Sequence, residues 1–107
     1  MARQTNTDVN GKPFDQETLA AVWRKADLVE MMHPDLYRYD IRASLMRFSE
    51  YGRESEQGWE VDHIKPVALG GTDDLDNLQP LHWENNRRKG DDYPWEPEEE
   101  AWPQSRF

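Results

Sequence analysis

At 107 residues the chain amounts to one domain, large enough for a modest core and too short for two. It holds no cysteine, which excludes a disulfide framework and a thiolate zinc site, and no apolar run reaches the roughly 18 residues of a membrane span. No signal-peptide core stands near the N-terminus, so a soluble cytoplasmic protein is the expectation. The net charge of −9 weighs against a simple nucleic-acid binder, since phosphate contacts come from Lys and Arg. Its distribution softens that objection: residues 91–107 hold six acids against one Arg, so −5 of the total sits there and −4 remains on residues 1–90. Arg87, Arg88 and Lys89 form a basic triplet within that body.

Residues 1–13 read as loose, with Asn10-Gly11-Lys12-Pro13 as a turn signal. Residues 14–29 predict a scaffold helix. Asp15 serves as N-cap, Glu17 lies in the first turn, and Leu19, Val22, Trp23 and Ala26 repeat at three and four. Pro34 then biases the chain away from helix, and residues 31–40 read as a connection. Residues 41–52 fit neither period cleanly; a strand or hairpin arm is the preferred reading. Residues 59–64, "WEVDHI", alternate apolar and polar and form the best strand in the chain.

A long loop follows over residues 65–77, where Gly70-Gly71 and Asp73, Asp74 and Asp76 favour turns. Residues 78–83, "LQPLHW", predict a short extended piece. Residues 84–90, "ENNRRKG", predict a helix with a basic last turn and a glycine stop. Beyond Gly90 the chain is rich in Pro and Glu, with Trp95 and Trp102 as candidate anchors.

Polar residues collect at the joints of this strand–loop–strand–helix run: Asp62 and His63 at a strand end, Asn77 in the loop, Asn86 in the helix. A phosphodiester hydrolase needs a base to take a proton from water, and positive charge against the phosphate. A neutral imidazole suits the first task near pH 7, and a hard divalent cation on carboxylate and amide oxygens suits the second. The bland readings stand beside these. A lone His is usually structural, Asn77 fits turn geometry, the basic triplet suits a helix C-terminus, and Asn85 competes with Asn86 from about 100° around the helix.

The series Asp62-His63-Ile64, Pro66, Gly70-Gly71, Asn77-Leu78, Leu81, Asn86 and Lys89-Gly90 resembles the HNH endonuclease family, whose core is a ββα-metal finger. The flanks are similar to those of small bacterial and phage HNH proteins. The resemblance implies an α+β fold in one small domain. Residues 1–57 would supply the N-terminal scaffold helix and connecting segments, 58–90 the ββα-metal core, and 91–107 an irregular acidic tail containing Pro and Trp.

It further implies a nuclease dependent on one divalent cation, Mg²⁺ or Mn²⁺, that nicks one DNA strand per active site. His63 matches the general base, Asp62 the acidic metal ligand and Asn86 the second protein ligand. Asn77 matches the residue that ties down the loop and helps orient His63. Arg87, Arg88 and Lys89 would meet phosphates, and His82, four residues before Asn86, is a possible outer-sphere partner. Many relatives carry paired Cys knuckles around a structural zinc; His82 and Asn85 stand at one such pair here, so no structural zinc is expected. Such an enzyme would act as a monomer or weak dimer on DNA, with no membrane and room for a partner protein. The alternatives are a non-catalytic protein-interaction module on a ββα scaffold, and an RNA-directed or toxin nuclease.

Overall fold

The computed structural model describes residues 3–96, so Trp102 lies outside the described residues. Among these residues, two α-helices and two small antiparallel sheets give an α+β fold. Helix α1 (Gln16–Trp23) starts where the sequence predicts, with the Asp15 carboxylate accepting the Thr18 amide at 2.8 Å. It stops earlier than expected. The Arg38 guanidinium takes the carbonyls of Arg24 and Ala26 at 3.3 and 3.0 Å, and the chain turns into a strand at Asp27.

Residues 27–47 differ from the sequence reading. Strands β1 (Asp27–Leu28), β2 (Tyr37–Tyr39) and β3 (Leu45–Arg47) pair antiparallel in that order, with Tyr39 opposite both Asp27 and Leu45. Residues 37–39 therefore lie in a sheet where a connection was expected. Strands of two and three residues are too short to show a period, so only their pairing reveals them. The ambiguous segment 41–52 divides into β3 and a single 3₁₀ turn, Phe48–Glu50.

The ββα order expected of residues 58–90 is present. Strand β4 (Trp59–His63) pairs antiparallel with β5 (Leu78–His82), setting Asp62 opposite Gln79 and His63 opposite Leu78. Helix α2 (Trp83–Lys89) follows β5 directly and ends at Gly90. One face of β4 enters the core through Trp59 and Val61, packed with Leu19, Val22, Trp23, Met46 and Leu78. The Trp59 ring lies 5.0 Å from that of Trp23 and 4.9 Å from that of Tyr51, and its indole N–H donates to the Phe48 carbonyl at 3.1 Å. The alternation in β4 invites a solvated polar face, yet all five residues are buried. Glu60 and Asp62 lie beneath α2 and meet its polar side chains.

The N-terminal segment is not loose. Thr7 bridges Pro13, Asp8 closes a turn by accepting the amides of Asn10 and Lys12 at 2.8 and 2.9 Å, and Asn6 Oδ1 accepts the Val61 amide at 2.9 Å. Asn6 thereby covers a backbone donor on the open edge of β4, which β5 does not reach. At the other end of the described chain, Trp95 receives the Arg42 guanidinium 3.6 Å above its ring. Among the described residues, no helix is long and apolar enough to cross a membrane.

Candidate active site

Asp62 and His63 are adjacent in β4, so their side chains leave the strand on opposite faces. The strand ends at His63, and both residues border one cleft of about 580 Å³. Asn86 and Arg87 of α2, Pro66 to Ala68 of the following loop, and Arg3 to Thr7 supply its other walls. Three residues singled out in sequence, Asp62, His63 and Asn86, thus share a cavity although the last is 23 positions away in the chain.

Asp62 is buried and accepts hydrogen bonds from two side chains. Gln79, its cross-strand neighbour, donates to Oδ2 at 2.9 Å, and the Lys89 ammonium lies 3.3 Å from both carboxylate oxygens. Burial pushes the Asp62 carboxyl above its ordinary range, while the Gln79 hydrogen bond and the Lys89 charge pull it back. Gln79 gave no signal in the sequence, because its role follows from strand register alone.

Asn86 donates its amide Nδ2 to Glu60 Oε1 at 2.7 Å. Arg87 grips the same carboxylate at 2.7 and 3.0 Å and reaches Glu54 at 2.8 Å. Glu60 is only 2% exposed. In sequence Glu60 is a polar residue of the strand, and its position two before Asp62, on the same face, is the signal for its place here. With Nδ2 committed to Glu60, the amide oxygen of Asn86 is the end left for a ligand. Asn85 behaves differently. It is buried, and its Nδ2 donates to Asp40 Oδ2 at 2.8 Å and Ser44 Oγ at 2.9 Å. The two neighbouring asparagines are thereby distinguished: Asn86 borders the cleft and Asn85 braces the fold.

Asn77 sutures the loop. Its Oδ1 accepts the Lys65 amide at 2.8 Å, and its Nδ2 donates to the carbonyls of Lys65 at 3.1 Å and Thr72 at 2.8 Å. Gly71 is required for that closure, since a Cβ there would fall 1.7 Å from the Lys65 oxygen and 2.9 Å from Asn77 Nδ2. Asn77 makes no hydrogen bond to the His63 ring. That ring is bonded through Nε2 to Asp73 Oδ1 at 2.8 Å, with the Phe14 ring 6.0 Å away. In sequence Asp73 reads as a turn residue, and a contact across ten residues of irregular loop leaves no periodic trace.

Lys89 and His82 both sit inside the protein. Lys89 is 2% exposed, and its ammonium also donates to the His63 carbonyl at 3.1 Å. The burial of α2 on β4 turns it inward, while Arg87 and Arg88 remain on the exposed side. His82 makes no hydrogen bond to Asn86; it is the N-cap of α2, which begins at Trp83. Its Nδ1 caps that helix by accepting the Glu84 amide at 3.2 Å, and its Nε2 donates to the Glu56 carbonyl at 2.8 Å. His82 and Asn85 both meet the buried Asp40. Asp40 Oδ2 accepts the His82 amide at 2.9 Å, and Oδ1 accepts the amides of Arg42 and Ser44, each at 2.9 Å.

The donor set suits a hard cation. Among the described residues no group of three or more His, Cys, Asp or Glu is placed to hold a metal. An Asp carboxylate and an Asn amide oxygen instead match ions of the Mg²⁺ type, which bind through one or two protein oxygens and complete their shell with water and phosphate.

Comparison with known families agrees with the geometry. The family model described as HNH endonuclease matches residues 50–92, which spans β4, the sutured loop, β5 and α2. The resemblance carried by residues 58–90 holds for this segment and points to nuclease chemistry in general terms. Comparison with curated proteins and with solved structures gives no match.

Proposed function

We propose that the protein is a divalent-metal-dependent endonuclease that hydrolyses DNA phosphodiester bonds, nicking one strand at each active site. The observation that carries this reading is the convergence of Asp62, His63 and Asn86 on one cleft inside the HNH-matching segment. Asp62 and Asn86 would hold one cation, Mg²⁺ or Mn²⁺. Such an ion, when bound, supplies positive charge against the phosphate and the leaving oxygen.

The remaining work falls to the chain's own groups. His63 removes a proton from the attacking water as the new P–O bond forms and the ester P–O bond breaks; the departing oxygen takes its proton from solvent. Asn77 holds the loop that leaves β4 directly after His63 and so limits how far the base can wander. Arg87 and Arg88 lie on the exposed side of α2, where a phosphate backbone can approach. Residues 58–90 form the catalytic unit of a single domain, with residues 1–57 as scaffold and 91–107 as an acidic tail.

Supercoiled plasmid incubated with Mg²⁺, Mn²⁺ or EDTA, beside His63→Ala, tests the reading. Metal-dependent accumulation of open circles before linear DNA, absent in the variant, is the expected result. Folded protein that cleaves DNA with neither metal would overturn it in favour of an RNA substrate or a binding module.

A further inference from the structure

We infer that Asp73 is the positioning residue for His63, fixing the imidazole with its proton on Nε2 so that Nδ1 is the atom that acts as base. The inference rests on the reading of His63 as general base and adds the group that sets its tautomer.

An aspartate in a Gly- and Asp-rich loop is ordinarily a turn residue whose side chain bonds its own backbone one or two residues on. Asp73 does not behave that way. Its carboxylate oxygens lie 3.2 and 3.1 Å from the Val9 amide, 64 residues away, and Oδ1 lies 2.8 Å from His63 Nε2. None of its side-chain hydrogen bonds goes to the loop that carries it. The turn is closed by others: Asn77 through the carbonyls of Lys65 and Thr72, and Thr72 Oγ1 through the Asp74 amide at 3.3 Å.

A carboxylate has only acceptor sites, so the neutral imidazole facing it must place its N–H on Nε2 and its lone pair on Nδ1. Nδ1 takes no hydrogen bond among the described residues, and no buried side-chain nitrogen or oxygen lacks a partner. It is therefore open to solvent, in a residue that borders the cleft. The ring cannot easily turn over, since Phe14 stands against it and its side chain is 9% exposed. When Nδ1 accepts the proton from water, the positive charge spreads to the Nε2–H that already faces the Asp73 carboxylate. The orientation that selects the basic atom thus also stabilises the cation it becomes.

The Val9 amide extends the arrangement to the N-terminal segment. That segment is tied at Asn6 to Val61 and at Val9 to Asp73, and it ends in Phe14 against the imidazole. Residues 6–14 therefore form the wall that holds both His63 and the residue orienting it.

The test uses the full chain with ¹⁵N-labelled histidine and plasmid nicking. In the parent protein the neutral His63 ring is expected as the Nε2–H tautomer. Asp73→Asn, close in volume, presents an amide of either polarity and should mix the tautomers; it should lower kcat by roughly 10- to 1000-fold with KM little changed. Asp73→Ala should behave alike, and Asp73→Glu should recover part of both the tautomer and the rate. A parent His63 carrying its proton on Nδ1, or a folded Asp73→Asn with parental tautomer and kcat, would overturn the inference. The nitrogen spectrum reads the tautomer without any turnover, so the two failures stay separate. Nicking that survives His63→Ala would overturn the reading of His63 as base and this inference with it, whatever tautomer the spectrum shows.

Discussion

Glu60 Oε1 accepts the side-chain amide of Asn86 at 2.7 Å, from a strand position almost sealed from solvent. A carboxylate buried to that degree carries a desolvation cost, offset here by Asn86 and by the two-pronged Arg87 contact. The pairing also fixes which end of the Asn86 amide is free, because a carboxylate accepts only the NH₂ side. Glu60 and Asp62 occupy one face of β4 and meet Asn86 and Lys89 on α2, so the two proposed ligand residues, Asp62 and Asn86, are set by one strand–helix contact.

Glu60→Gln is expected to weaken divalent-metal affinity by about 10- to 100-fold, the usual consequence of losing a partner that orients a ligand. A neutral amide can turn its own NH₂ toward Asn86 and permit the wrong orientation. Titration with Mn²⁺ followed by electron paramagnetic resonance measures the change; unaltered affinity in folded protein would remove Glu60 from the site.

Lys89 provides a second prediction. Removing one partner of a buried ion pair leaves an uncompensated charge, so Lys89→Met should destabilise the metal-free protein by about 3 kcal/mol. A divalent cation on Asp62 would compensate that charge. Added Mg²⁺ or Mn²⁺ should accordingly raise the melting temperature more for Lys89→Met than for the parent. Equal shifts in the two proteins would argue against Asp62 as a ligand.

Asp40 should matter for the fold without touching the chemistry. Its carboxylate accepts the amides of His82, Arg42 and Ser44 and the side chain of Asn85, and joins the start of α2 to the loop before β3. Asp40→Ala strands these donors and should cost about 3 kcal/mol in urea denaturation. The surviving folded fraction should retain parental kcat.

The paired glycines separate two kinds of requirement. Gly70 has φ +94° with open space around it, so Gly70→Ala meets backbone strain of about 1 kcal/mol and little else. Gly71→Ala would drive a methyl into the Lys65 carbonyl and the Asn77 amide, and should cost more than about 2 kcal/mol. Because that collision opens the loop behind His63, Gly71→Ala should also lower nicking, whereas Gly70→Ala should not.

By itself the sequence determined those features whose signal is local. Alternation marked β4, the Asp15 cap and the spacing of Leu19, Val22 and Trp23 marked α1, and Gly90 marked the stop of α2. The motif from Asp62 to Gly90 indicated the ββα core, since its residue types recur at fixed separations along the chain. Only the tertiary structure decided which residues surround them. Glu60 reads as a polar strand residue and Lys89 as a phosphate contact until α2 lies on β4 and buries both. Gln79 reaches Asp62 through cross-strand register, and Asp73 reaches His63 because the loop sutured by Asn77 folds back. The very short strands β1 to β3 exist through their pairing, and the N-terminal segment becomes a wall through single long-range contacts at Asn6 and Val9. Local preference is written in neighbouring residues; the partner of a buried charge is chosen only when distant segments are brought together.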